Sequence, residues 1–242
     1  TAAWNTLIHR DRTSKTALDA SLIRRNAKRM VNNARLTPQT NASARLGVNR
    51  LTRFETGRGT GQWTVDIGLV RGLDAFGADR DPGDLPPEAA RGQFDKVEAS
   101  ASLALPLADG YVWRARANGQ WSRHALYSSE QMFLGGVASV RGFAESALGG
   151  DRGLQLRTEL VKENLAPVLG GRFRLQPYLF LDAGQVETVA DSTRHSIAGA
   201  GAGLRIGHAR GQAVLIAGWP IKRADGLEGQ GPRFNISISY RF

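Results

Sequence analysis

Apolar and polar side chains alternate with a period of two through most of this 242-residue chain. That period confines the fold to strands with one apolar face, because side chains i and i+2 of a strand share a side. The end of the chain shows it best: Phe234, Ile236, Ile238, Tyr240 and Phe242 alternate with Asn235, Ser237, Ser239 and Arg241. The same pattern recurs at Trp63, Val65, Ile67 and Leu69, at Val97 to Leu105, at Tyr111 to Ala117 and at Leu154 to Leu160. Eleven strands are expected, at about 2–9, 16–28, 42–54, 62–74, 94–105, 111–122, 153–163, 173–184, 196–207, 211–221 and 233–242. Each is near the length that crosses an outer membrane with tilt.

A soluble sandwich would bury the apolar faces against a second sheet, whereas a membrane barrel turns them to lipid and lines a wet lumen with the polar ones. Two features favour the barrel. Aromatics fall near strand ends (Trp4, Trp63, Tyr111, Trp121, Trp219 and Tyr240), as interfacial girdles require. Connections alternate between long and tight, which matches outside loops and periplasmic turns, the stretch Asn164 to Arg172 being the exception. Placing Phe242 at the periplasmic end makes the longest connection, about 122–152, extracellular. The expected fold is therefore all-β, a transmembrane antiparallel β-barrel filling residues 1–242. Eleven is an odd count where single-chain bacterial barrels have an even one, so either the pattern miscounts by one or further strands lie upstream; the first strand starts at the first residues, which favours the second.

No stretch approaches 18 consecutive apolar residues, which excludes a transmembrane helix. Thr1-Ala2-Ala3-Trp4 shows neither the basic nor the apolar region of a secretory leader. Without Cys, disulfides and cysteine-based metal sites are impossible, and His9, His124, His195 and His208 lack ligand spacing. The net charge of +10 is spread along the chain rather than gathered in a stripe, so a water-facing surface is expected and not nucleic-acid binding. No nucleophile elbow or paired-carboxylate motif stands out, so neither catalysis nor a cofactor is expected.

Six segments and the terminal residue carry a more specific signal. The long loop holds Phe133-Leu134-Gly135-Gly136, then Val140-Arg141-Gly142-Phe143, then Gly149-Gly150-Asp151-Arg152-Gly153, followed by Arg157-Thr158-Glu159-Leu160. Phe180-Leu181-Asp182-Ala183-Gly184 and Gly201-Ala202-Gly203-Leu204-Arg205 follow on later strands, and Phe242 is a terminal aromatic. Together they resemble the outer-membrane insertase and transporter superfamily, and within it the two-partner secretion transporters of the haemolysin and filamentous-haemagglutinin type. The resemblance covers about residues 95–242. It implies a C-terminal barrel portion holding about 11 of 16 strands, with polypeptide-transport-associated (POTRA) domains and the first strands upstream. It also implies export of an unfolded partner exoprotein across the outer membrane, with the lipid bilayer and the barrel assembly machinery as further partners and Phe242 as assembly signal. The loop would fold back into the lumen, where Arg141 would pair with Asp182.

The residues are compatible with that carry-over. Gly142 permits a turn that a Cβ would forbid. Asp182 shares a face with Tyr178 and Phe180, opposite Leu179 and Leu181, so lipid on the leucine side sends the acid inward. Arg114, Arg116, Arg157, Glu159 and Arg205 would join it on the lumen wall. The small residues from Ala198 to Gly203 permit close approach, for which strand curvature is an adequate explanation, and they are not a nucleotide loop because they open no helix. Three rivals remain: an insertase of the same superfamily, which the Gly149–Gly153 run disfavours; a barrel enzyme, for which no triad is seen; and a passive porin, which leaves the Val140–Phe143 tetrad unexplained.

Overall fold

A computed structural model describes residues 1–27, 30–31, 34–35, 39–163, 165 and 172–241. Eleven strands make one sheet: β1 (Ala2–Arg10), β2 (Ser14–Ala27), β3 (Gln39–Thr56), β4 (Gly59–Leu73), β5 (Asp95–Pro106), β6 (Tyr111–Ser122), β7 (Arg152–Lys162), β8 (Arg174–Glu187), β9 (Arg194–His208), β10 (Gly211–Lys222) and β11 (Arg233–Tyr240). They pair antiparallel in sequence order as a plain meander, with β1 and β11 at the edges. All eleven expected strands are present. Their ends differ by a few residues where the apolar period fades before the backbone ladder does; β8 runs on to Glu187, for example.

The sheet is inside out relative to a soluble one. Leu46, Leu69, Leu154, Leu179 and Leu181 stand on the open face, Leu69 being 63% exposed and Leu179 62%. On the other face, Tyr178, Phe180 and Asp182 are buried. Exposed leucine rows have no stabilising partner in water, and each buried in lipid is worth about 1.5–3 kcal/mol. The aromatics form two belts on the same face. Trp4, Trp121 and Trp219 lie near the long-loop end, and Trp63, Tyr111 and Tyr240 near the tight-turn end. Tyr111 and Trp121 bracket β6, which puts the belts roughly 33 Å apart along a strand, or about 25 Å in height at a tilt near 40°, the height of an outer-membrane apolar band.

The tight turns are chemically specified. Between β1 and β2, the Ser14 hydroxyl donates to Asp11 Oδ2 at 2.7 Å, and the Thr13 and Ser14 N–H groups donate to Oδ1 at 2.7 and 2.6 Å. These bonds hold the Asp11 carboxyl well below the usual carboxylate range, the Ser14 hydroxyl foremost. The irregular connection expected at Asn164 to Arg172 lies almost wholly outside the described residues, as does Phe242. At the other end, the connection from Arg123 to Asp151 turns back over the inner face and forms its own short hairpin, Met132–Leu134 against Leu148–Gly150. Among the described residues no helix is long and apolar enough to cross a membrane.

A charge on the outer face tests this orientation. Leu181→Arg, near the middle of β8, is expected to lower folding stability in lipid vesicles by about 2–4 kcal/mol. Asn118→Ser, on the inner face of β6, is expected to shift it by less than about 0.5 kcal/mol. Denaturant titrations of the vesicle-folded protein read both.

Candidate functional site

Strand parity puts Tyr178, Phe180 and Asp182 of β8 on the inner face, each opposite a glycine of β9. The registered pairs are Tyr178 with Gly203, Phe180 with Gly201 and Asp182 with Gly199. A Cβ at Gly203 would lie 2.1 Å from the Tyr178 ring, and one at Gly201 would lie 2.0 Å from the Ala217 carbonyl oxygen and 2.6 Å from the Phe180 ring. The glycine row therefore makes room for the aromatic rings, and beside Asp182 for the loop itself. A Cβ at Gly199 would stand 1.9 Å from the Arg141 carbonyl oxygen. The close approach expected from the sequence for Ala198 to Gly203 is thus what these glycines provide, and curvature alone does not account for them.

The tetrad Val140-Arg141-Gly142-Phe143 rests directly on the backbone of β9 and β10. Gly142 has φ +98°, and a side chain there would press on the Trp219 carbonyl carbon at 2.9 Å, while one at Gly218 would reach Gly142 N at 2.8 Å. Val140 and Phe143 are buried with Leu134, Val186, Ile197 and Ala224. That apolar seat holds the Arg141 guanidinium in place.

Arg141 and Asp182 meet, 1% and 0% exposed. Arg141 Nε donates to Asp182 Oδ2 at 2.6 Å and Nη2 to Oδ1 at 2.7 Å, and the Arg141 N–H adds a third bond to Oδ2 at 3.2 Å. Its remaining nitrogen, Nη1, donates to Glu159 Oε1 of β7 at 2.5 Å. Glu159 is shared, because Arg205 of β9 donates to its other oxygen. The guanidinium carbon sits 3.8 Å from the Phe180 ring centre, and that of Arg205 4.1 Å from the Tyr178 ring centre. Two cations and two carboxylates thus alternate over two aromatic faces. The planar fork satisfies both Asp182 oxygens at once, which a lysine cannot do. Removing one member of such a buried pair costs about 3–5 kcal/mol, because the other charge is left behind.

The loop has two further anchors. Glu130 is bound from the opposite wall: Arg25 of β2 reaches Oε1 at 2.6 Å, and Lys96 of β5 reaches Oε2 at 3.0 Å. Lys96 also contacts Glu98 at 2.9 Å. Asp151, 1% exposed, accepts from Leu126 N at 2.8 Å, Gln131 Nε2 at 3.0 Å and Val189 N at 2.8 Å. It ties the start of the loop, the end of the loop and the β8–β9 connection together. The loop consequently spans the inner face, held by β2 and β5 on one side and by β7 to β10 on the other. A cavity of about 330 Å³ near the tight-turn end is lined by Arg114, Arg116, Arg157, Glu159 and Arg205.

The sequence-expected residues separate into three groups. Arg141, Asp182 and Phe180 form the clasp, with Val140, Gly142 and Phe143 seating it. Gly135 (φ +109°) and Gly136 (φ +87°) turn the loop hairpin, Gly184 accommodates Leu134, and Gly150 and Gly153 fit closely against Val186 and its neighbours. Phe242 lies outside the described residues. The sequence did not assign roles to Glu130, Lys96 and Arg25, nor a clasp position to Glu159. For Glu159 a signal existed, since Arg157-Thr158-Glu159 places both charges on the inner parity of β7. For Glu130 none did, because its partners lie 105 and 34 residues away.

Comparison with known proteins places the chain in context. The family model described as haemolysin secretion/activation protein ShlB/FhaC/HecB matches residues 1–206. The outer membrane transporter CdiB of Dickeya dadantii (strain 3937) is 33% identical over 220 residues, 89% of this chain and 38% of that protein. The structure of CdiB from Escherichia coli superposes with a TM-score of 0.89 at 27% identity, over 98% of this chain and 44% of the other. BamA from Haemophilus ducreyi shares the fold, with a TM-score of 0.66 at 14% identity over 98% of this chain and 53% of the other. The chain therefore spans less than half the length of the CdiB transporters.

Trypsin offers a direct readout of the seat, because Arg141 is itself a cleavage residue. Cleavage after Arg141 is expected to be undetectable in the folded wild type and prominent in Gly199→Val, whose side chain takes the place of the Arg141 carbonyl. Gly207→Ala, where a Cβ meets nothing closer than 3.9 Å, is expected to stay protected. Glu130→Ala is expected to expose the Arg123–Gln131 half of the loop to protease while Arg141 stays protected, since the two anchors stand on different strands.

Proposed function

The chain belongs to the haemolysin secretion/activation family of two-partner secretion, and on that ground we propose that it forms the C-terminal part of an outer-membrane conduit that exports an unfolded partner exoprotein to the cell surface. Its place is the outer membrane, as for the transporters it is similar to. The clasp of Arg141 with Asp182 and Glu159 is the observation that carries the reading. A passive pore leaves the Val140–Phe143 tetrad unexplained, whereas a conduit that must open for a polypeptide and stay closed otherwise needs a latch of this kind.

The wall chemistry suits such a cargo. An unfolded chain brings unpaired N–H and C=O groups, and the inner face offers Arg114, Arg116, Asn118, Gln120, Gln155 and Arg157 as hydrogen-bond partners for them. The clasp is charge-balanced, so a passing segment can exchange ion pairs with it without leaving a net charge stranded. In the full-length protein we propose about five more strands upstream, closing the edge of β1 in a barrel of 16. POTRA domains would receive the exoprotein in the periplasm, and the assembly machinery would read Phe242. The long-loop end would then face outward. The reading invokes no cofactor and no catalytic step.

Secretion by cells carrying the full-length gene tests it. Arg141→Ala and Asp182→Ala are each expected to reduce the amount of partner exoprotein outside the cell about tenfold or more while barrel levels hold, and Arg141→Lys to recover only part of it because the bidentate geometry is lost. Normal export by both alanine variants would remove the latch and leave the conduit. Normal export without the protein, with other outer-membrane barrels failing to assemble, would replace export by insertase activity.

A further inference from the structure

The outer face of β1 to β6 carries a feature that export does not use. Strand registers align Trp4, Ala20, Leu46, Leu69, Val97 and Trp121 in one row across six strands. One step nearer the long-loop end, the same registers align Leu22, Ala44, Arg71 and Asp95. Arg123 completes that second row, its Nη2 donating to Asp95 Oδ2 at 3.1 Å, while Arg71 Nε lies 3.8 Å from Oδ1.

Side-chain size hollows this part of the wall. Ala20, Ala44 and Val97 are small, and the indoles of Trp4 and Trp121 stand 58% and 53% exposed at either side. Between them runs a trough of about 960 Å³ with an apolar floor. Arg71 and Arg123, 75% and 64% exposed, stand at its loop-end rim and share one carboxylate, leaving a net positive charge there.

A smooth apolar wall suffices for ordinary lipid tails, and a lone interfacial arginine needs only headgroup water. A trough capped by two arginines suits a ligand that carries several acyl chains directly beneath phosphate. Guanidinium recognises phosphate with a fork of donors, and the apolar floor removes hydrocarbon from the bilayer at no polar cost. The geometry points to a binding site for a phosphorylated, multiply acylated glycolipid of the lipid A type, its acyl chains in the trough between Trp4 and Trp121 and a phosphate on Arg71 and Arg123. This inference rests on the outward orientation of the long-loop end proposed above, but not on export.

The test uses full-length protein, purified in detergent and delipidated. It is mixed with bisphosphorylated lipid A, with lipid A lacking both phosphates, or with phosphatidylglycerol, and native mass spectrometry counts the lipid retained. Wild type is expected to retain bisphosphorylated lipid A about tenfold better than either comparison lipid, a difference of about 1.4 kcal/mol. Arg71→Glu/Arg123→Glu is expected to erase the preference. Ala44→Trp, which fills the trough and keeps both charges, is expected to reduce retention of both lipid A forms. Heat-modifiable migration on gels confirms folding of each variant, and Arg71→Gln replaces the double reversal if that fails to fold. Equal retention of all three lipids, or unchanged selectivity in both variants, overturns the site. Absence of any retention by wild type overturns it too, and would mean that another part of the full-length chain covers the trough. Labelling of the Arg123–Asp151 loop in intact cells reports the orientation separately, and secretion assays are independent of both.

Discussion

Inside a bilayer no water is available to backbone N–H and C=O groups, so every strand must find its partners in neighbouring strands. The chain meets this demand with a meander in which each of eleven strands pairs antiparallel with the next. Much of the rest follows. Side chains must alternate between lipid and lumen, so Leu179 and Leu181 stand outside while Phe180 and Asp182 stand inside on the same strand. The aromatic belts mark where hydrocarbon ends. The two edges, β1 and β11, carry the same demand, which is why the proposal of further strands is a physical one as well as a family one.

Packing in this molecule happens inside the wall rather than between sheets. Its largest apolar cluster, around Leu134, Val140, Phe143, Val186 and Ile197, is formed by the long loop lying on β8, β9 and β10. The glycine row of β9 is what allows that approach. Gly201 and Gly203 yield to the aromatic rings of β8, and Gly199 yields to the backbone of the tetrad. The ring faces then carry Arg141 and Arg205, so the small residues of one strand indirectly position the cations of the loop and of the wall.

Electrostatics explains why the loop stays where it is. Arg141 spends its donors on Asp182 and Glu159, and Glu159 is held in turn by Arg205. Glu130 repeats the arrangement with reversed signs on the far wall, a carboxylate on the loop held by cations of β2 and β5. A loop tied at one end would swing. Tied at both, it is held across the inner face, and in the proposed conduit release of either tie would change the shape of the passage while the strand ladder stays intact. Each tie, with Glu98 counted beside Lys96, is a small charge-balanced unit that can re-form, which is what the proposed latch requires.

The period-two alternation was enough to read the strand count, the facing of each strand and the long-loop and tight-turn ends, because parity and turn chemistry are local properties. The pairing of Arg141 with Asp182 was also legible, but only through family resemblance; parity alone says that Asp182 points inward and is silent on what it meets. The shared role of Glu159, the anchoring of Glu130 by Arg25 and Lys96, and the seat formed by Gly199 and Gly218 were decided by tertiary structure. They depend on where a 29-residue connection from Arg123 to Asp151 comes to rest across seven or more strands. Nothing in a strand's own pattern encodes that resting place, since it is set by contacts between residues up to about a hundred positions apart in the chain.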